Sequence, residues 1–338
     1  MSDLLLRIEG HAGRATLNRP AALNALTYDM ANALEAALDQ WRDDPLVQLV
    51  VIDAVGPRAF CAGGDIADLY ATGKAGDVAF GQRFWADEYR LNAKLSEYPK
   101  PIVTLMQGFT MGGGVGVGCH ASHRIVGESA QISMPECGIG LVPDVGGSRL
   151  LARAPGRMGA YLGLTTARMG PGCAIRAGFA DHFVPEADWP ALISQICATG
   201  RPDIPQHPTP DAPLFSHQTE VDRLFVASSL HSLLADLAND PGDFAAATRK
   251  SILRNSPLSM AATLLMLPRL ASSTSIRDAL TLEYRFTARA MAEGDFLEGI
   301  RAAIIDKDRA PKWRHDATQD LTAAAEAMLA PLPQDLTF

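Results

Sequence analysis

Ile102-Val-Thr-Leu-Met-Gln-Gly-Phe-Thr-Met-Gly-Gly-Gly-Val-Gly-Val-Gly118 is the stretch that decides the fold. Its first five residues form an apolar, β-rich run of the kind found in strands buried on both faces. A glycine-rich turn over Met111–Gly118 follows and leads into a short apolar stretch of helical character. The same order occurs upstream, where Leu46 to Ala54 supplies the strand and Cys61-Ala-Gly-Gly-Asp-Ile66 the turn. Strands alternating with helices imply an α/β fold with parallel strands and crossover helices. Ligands in such folds sit at the carboxyl ends of strands, where both glycine turns fall.

Working outward, residues 3–8 and 12–18 read as a hairpin around His11-Ala-Gly13. An amphipathic helix capped by Thr27 runs to about Trp41, and another spans about Asp77 to Leu95. Short strands are expected near Arg124–Val126 and Gln131–Met134, with helices over 147–153, 157–164 and 187–198. Arg201 to Pro213 carries five prolines and reads as an extended connector. From His217 to about Asp306 the pattern is helical. The expected organisation is therefore an α/β core over 1–200, a proline-rich connector over 201–214 and a helical C-terminal region over 215–338.

The chain has 338 residues, 47% of them hydrophobic and 20% charged, enough for a sizeable core. A formal charge of −8 with no lysine or arginine stripe argues against a nucleic-acid partner. No apolar run reaches membrane-spanning length, so no membrane association is expected. The five cysteines are odd in number and contain no Cys-x-x-Cys pair, which suits a reducing compartment. Together with an N-terminus unlike a signal or transit peptide, this gives a cytoplasmic expectation.

The chemistry concentrates in Met134-Pro-Glu-Cys-Gly-Ile-Gly-Leu-Val-Pro-Asp-Val-Gly-Gly147, where Glu136 and Asp144 lie eight residues apart among glycines and apolar residues. Burial raises a carboxyl pKa towards values useful for acid–base work. Two carboxylates in one pocket titrate as a coupled pair. Asp144 before Gly146-Gly147 also fits a helix N-cap, and Asp65 fits a cap for the helix that follows it. The glycine turns can aim backbone N–H groups at a substrate oxygen, although tight strand–helix packing also demands glycine. Ser148 lacks the last glycine of a nucleophile elbow. Cys61 has no histidine placed to activate it, and Cys119, His120 and His123 lack a further metal ligand.

Three blocks, Asn18-Arg-Pro-Ala-Ala-Leu-Asn-Ala-Leu26, Phe60-Cys-Ala-Gly-Gly-Asp-Ile66 and Gly108-Phe-Thr-Met-Gly-Gly-Gly114, resemble the crotonase (enoyl-CoA hydratase/isomerase) superfamily. The resemblance implies an α/β crotonase-like spiral of ββα units with a helical C-terminal region. It also implies an acyl-CoA ligand whose thioester oxygen lies between the N–H groups of Gly64 and Gly113. Hydratases of the superfamily usually carry a glutamate two residues after the triple glycine, where this chain has Gly116. Further blocks resemble its 3-hydroxyisobutyryl-CoA hydrolase branch: Glu88-Tyr-Arg-Leu-Asn92, Met134-Pro-Glu136, Val142-Pro-Asp-Val-Gly-Gly147, Asn255-Ser-Pro257, Leu282-Glu-Tyr-Arg285 and Asp295-Phe-Leu-Glu-Gly299.

That branch implies thioester hydrolysis in valine breakdown, with Glu136 and Asp144 catalytic and Glu88 touching the substrate. It implies no metal or redox cofactor, since CoA is part of the substrate, and it admits a homo-oligomer. The Ala21-Ala22 dipeptide lacks the basic residue that relatives place near the CoA phosphates, which leaves Lys307 or Lys312 as substitutes. Two other readings stay open: a hydratase or isomerase with Glu136 as single acid/base, and a non-catalytic acyl-CoA-binding or assembly subunit.

Overall fold

The computed structural model describes residues 2–338 and divides into two compact units that do not follow the linear order of the chain. The first comprises residues 1–65, 90–133 and 168–213, and the second 66–89, 134–167 and 214–338. Glu136, Asp144 and Glu88 belong to the second unit, Gly64 and Gly113 to the first.

The first unit holds every strand. β1 (Leu4–Glu9) and β2 (Ala12–Leu17) form the expected antiparallel hairpin, and every other pairing between strands is parallel. The others are β3 (Leu49–Ala54), β4 (Ala59–Cys61), β5 (Ile102–Met106), β6 (Phe109–Met111), β7 (His123–Val126), β8 (Gln131–Ser133) and β9 (His182–Phe183). One six-stranded sheet runs β1-β2-β3-β5-β7-β9 and a three-stranded sheet runs β4-β6-β8. Each consecutive pair from β3 to β8 thus deals one strand to each sheet, which is the spiral of ββα units.

Alternation along the strands explains the packing. Leu49 and Val51, then Val103 and Leu105, project to one face of the larger sheet, where the Trp189–Thr199 helix covers them with Trp189, Leu192, Ile193 and Ile196. Ile204 joins that cluster from a stretch, residues 202–212, that carries neither helix nor strand. Thr27 caps the Tyr28–Asp43 helix as expected, its side chain accepting from the Met30 N–H. The sequence reading missed β4 and β6. Three residues are too few to show a period of two, and their pairing is visible only in space.

The second unit is helical. Its Pro257–Leu270 helix, buried along most of its length, packs against the Gly147–Arg153, Met158–Thr165 and Thr322–Leu329 helices. The Ile276–Ala290 helix packs against the Gly147–Arg153 helix and presents Leu280, Glu283, Tyr284 and Thr287 to the interior. Among the described residues no helix is long and apolar enough to cross a membrane. One local expectation is corrected. Ile66, without a side-chain bond, stands at the cap of the Ala67–Lys74 helix, while Asp65 accepts from the Arg19 guanidinium at 3.1 Å. An ion pair offers the carboxylate a stronger partner than two amides at a helix end.

Candidate active site

Five carboxyl groups are buried in the helical unit: Asp295, which accepts from the Ser256 hydroxyl and the Arg314 N–H, and the four of interest, Glu88, Glu136, Asp144 and Glu283. Glu136 opens a 3-10 turn, Glu136–Ile139, directly after Pro135. Asp144 sits in the loop between that turn and the Gly147–Arg153 helix. Glu88 lies on the Val78–Ser96 helix and Glu283 on the Ile276–Ala290 helix. A cleft of about 530 Å³ in the same unit, lined by Leu151, Phe225, Leu264 and Pro268 among others, holds none of them. Acid–base chemistry therefore marks the site better than cleft size does.

Asp144 is held by two devices. Tyr89, fully buried, donates its phenolic O–H to Oδ2 at 2.8 Å and lies 3.4 Å from Thr287 Oγ1. Behind Asp144 the backbone turns sharply, with Val145 at φ 52° and Gly146 at φ 78°. A left-handed β-branched residue costs on the order of 1–3 kcal/mol and persists only where its surroundings impose it. Here Glu283 imposes it, accepting the Gly146 N–H at 2.8 Å, the Ser148 N–H at 3.2 Å and the Ser148 hydroxyl. The helix N-cap, Gly146, has no side chain, so Glu283 supplies the cap from across the unit. The N-cap reading of Asp144 is thereby set aside, because its carboxylate faces Tyr89 instead.

Burial dominates the electrostatics. It pushes Glu88 up to about 8, helped by the negative charge of Asp144. Burial, offset by the Ser148 and Gly146 donors, takes Glu283 to about 8. Asp144 rises to about 6, with burial working against the Tyr89 hydroxyl and its own backbone. Glu136 is held well above the usual carboxylate range by burial and then by the charge of Asp144. One oxygen of Glu88 and one of Glu136 have no hydrogen-bond partner among the described residues, as expected of groups kept for something else.

A carboxyl raised by folding binds its proton more tightly in the folded state. Its stabilising contribution is full below the unfolded value near 4.5 and is lost as pH rises through about 8. Glu88→Gln should therefore raise the melting temperature more at pH 8.5 than at pH 5.5. Thermal unfolding at the two pH values measures this, and equal shifts would contradict it.

In the sheet unit, the two glycine turns lie against each other. A Cβ on Gly114 would stand 2.1 Å from the Cys61 carbonyl oxygen, and one on Gly63 would stand 3.5 Å from that of Met111. Gly112, at φ 49° and ψ −120°, adopts a backbone closed to other residues and starts the Gly113–Gly118 helix. Gly113 supplies the first amide of that helix, which has no acceptor within it. Leu26 bridges Gly64 in parallel fashion through Leu26 N–H to Gly63 O and Asp65 N–H to Leu26 O, so the Gly64 N–H takes no part. Asn24 anchors this bridge, donating to the Val55 and Ala59 carbonyls and accepting from the Arg19 N–H. Gly114→Ala should cost about 1–3 kcal/mol of stability by overpacking backbone against backbone. A urea midpoint equal to wild type would contradict it.

Other candidates fall to structural roles. The Cys61 thiol points to the Gly63 carbonyl, Cys119 lies against the Met106 sulfur, and Ser148 serves Glu283. Outside that group, Lys312 gives its backbone N–H to Glu298 and Lys307 stands at φ 57° in the left-handed region. Sequence reasoning missed Tyr89 and Glu283 as parts of the site. Both lay in quoted blocks, Glu88–Asn92 and Leu282–Arg285, but helical tyrosines and glutamates look alike until their partners are known.

A family model described as enoyl-CoA hydratase/isomerase matches residues 12–329. The mitochondrial 3-hydroxyisobutyryl-CoA hydrolase of Xenopus tropicalis is 39% identical over 334 residues, covering 95% of this chain and 86% of that relative. The Homo sapiens protein of the same name is 36% identical over 334 residues with the same coverage. Among solved structures, an enoyl-CoA hydratase from Rhodobacter sphaeroides 2.4.1 superposes with a TM-score of 0.97 at 61% identity over all of both chains. A carnitinyl-CoA dehydratase from Mycobacterium thermoresistibile gives 0.94 at 39% identity, covering 100% of this chain and 99% of that one. The names divide among hydrolase, hydratase and dehydratase, and each of them names an acyl-CoA.

Proposed function

The chain belongs to the enoyl-CoA hydratase/isomerase family, and from that premise we propose that it is an acyl-CoA thioester hydrolase acting on 3-hydroxyisobutyryl-CoA, in valine breakdown. One observation carries the reading: a buried Glu136–Asp144 pair in which the charge of Asp144 helps hold Glu136 above its usual range, with an oxygen of Glu136 left unpaired. Gly116, buried within its helix, stands where hydratases of the superfamily usually carry a second glutamate. The relatives named hydrolase, at 36–39% identity, support the same choice.

In this reading the Gly64 and Gly113 N–H groups hold the thioester oxygen as it gains charge. One such donor is worth roughly 100- to 1,000-fold in rate. Glu136 either attacks the carbonyl carbon to give a mixed anhydride or takes a proton from attacking water. The carbon–sulfur bond breaks, and the thiolate takes its proton from Asp144 and leaves as CoA; on the anhydride route water then cleaves the acyl–Glu136 bond and restores Glu136, and on either route 3-hydroxyisobutyrate leaves. Glu88, its free oxygen unpaired, would meet the substrate hydroxyl. The mechanism requires no cofactor. Five buried cysteines, with no disulfide among the described residues, favour a reducing compartment such as the cytoplasm.

The two acids titrate as a pair. The step requires Glu136 ionised and the proton held on Asp144. Activity should fall in acid as the pair becomes doubly protonated, with a limb near pH 6. Tyr89→Phe, which removes the donor that stabilises charged Asp144, should move that limb upward. A pH–kcat profile unchanged by Tyr89→Phe would contradict this assignment.

The second reading, an enoyl-CoA hydratase, draws on the name of the Rhodobacter structure at 61% identity. A third, an acyl-CoA-binding or assembly subunit, would leave the acid pair idle. A thiol-release screen over short acyl-CoAs tests the proposal: preference for the 3-hydroxyisobutyryl thioester supports it, and acyl-CoA binding without any thiol release refutes it.

A further inference from the structure

The Ile276–Ala290 helix touches each support of Asp144. Glu283 accepts two amides and a hydroxyl of the Gly146–Ser148 turn, and Tyr284 meets the Tyr89 ring edge-on at 6.4 Å. Thr287, one helical turn beyond Glu283, lies beside the Tyr89 hydroxyl. Glu283 has no exposed surface, so burying it needs a compensating gain. A helix N-terminus alone does not require a carboxylate brought from across the unit, since a serine or aspartate at position 146 would cap it locally. Local capping is unavailable here because position 146 is left-handed, and that conformation is what turns the chain immediately after Asp144.

We propose that Glu283 is a positioning residue for hydrolysis, locking the Val145–Ser148 turn so that Asp144 keeps the orientation in which it passes its proton. The role rests on the hydrolase reading. Glu283 makes its hydrogen bonds to the Gly146–Ser148 turn and acts on Asp144 through that turn, while its charge also raises Glu136. The carboxyl matters because it accepts from both amides in either protonation state: when protonated, its O–H turns to the Ser148 hydroxyl. A glutamine in its place presents an N–H₂ to either the Gly146 or the Ser148 amide, donor against donor, and one of the two bonds is lost.

The test compares four full-length enzymes, wild type, E283Q, D144N and the double variant, by CoA release from 3-hydroxyisobutyryl-CoA, per folded protein judged by circular dichroism. E283Q should lower kcat by about 10- to 100-fold with KM within about threefold of wild type, the range for a misplaced acid–base group. In the D144N background the same change should lower kcat by less than about threefold, because residues acting as one unit are non-additive. Wild-type kcat in E283Q overturns the role, as does a full repeat of its loss in the D144N background. Should E283Q fail to fold, Ser148→Ala decides, since it removes one donor and keeps both amides. A kcat about 3- to 10-fold lower at unchanged KM supports the role, and wild-type kcat overturns it. Failure of the wild-type enzyme to release CoA would instead remove the hydrolase reading, and the positioning role with it.

Discussion

Glu136→Gln is expected to lower CoA release by at least about 1,000-fold while leaving the melting temperature at or above that of wild type. A nucleophile or general base is worth roughly 100- to 10,000-fold, and glutamine can serve as neither. The fold should tolerate the change because the side chain keeps its size. The buried oxygen Oε2 has no hydrogen bond to lose. Removing a carboxyl whose ionisation burial and Asp144 both oppose also removes a cost at neutral pH. Steady-state thiol release and thermal unfolding of the same preparation check both halves. Turnover within tenfold of wild type would take Glu136 out of the chemistry.

Asp144→Asn is expected to lower kcat by about 100- to 1,000-fold with acyl-CoA binding retained. The Tyr89 hydroxyl can still donate to the asparagine oxygen, so the fold keeps its 2.8 Å link to this position. What disappears is the group that carries the proton to the departing thiolate. Stopped-flow turnover together with calorimetric binding of a non-hydrolysable acyl-CoA analogue separates the steps. A variant that turns over normally but melts several degrees lower would reduce Asp144 to a structural part.

Most of the architecture was legible because long periodic segments carry their own signal. The capped helix after Thr27, the buried strand Ile102–Met106 and the helix over 147–153 all stand where the pattern puts them. The short strands β4 and β6 were not legible, nor was the interleaving of the two compact units, because both follow from contacts between distant parts of the chain. Glu136 and Asp144 stood out because carboxylates are conspicuous among glycine, proline and valine. Glu283 did not. It stands in an ordinary amphipathic helix, and only the turn 137 residues upstream shows what its carboxylate holds.

Asp65 and Asp144 teach a related lesson. Sequence gives each the same excuse, a helix cap, and for neither does the side chain serve as one. Asp65 found a guanidinium and Asp144 a phenol, each a better partner than the nearest helix end. Local rules yield where a tertiary partner of higher hydrogen-bonding strength is within reach.

The central claim is that this family member cleaves a thioester rather than adding water to a double bond. The most direct measurement offers the purified protein 3-hydroxyisobutyryl-CoA and a short conjugated enoyl-CoA side by side. Free thiol is followed for the first and loss of enoyl absorbance for the second. The account predicts rapid thiol release from the hydroxyacyl thioester and little or no loss of enoyl absorbance. Rapid hydration of the enoyl-CoA without CoA release from either substrate would contradict it.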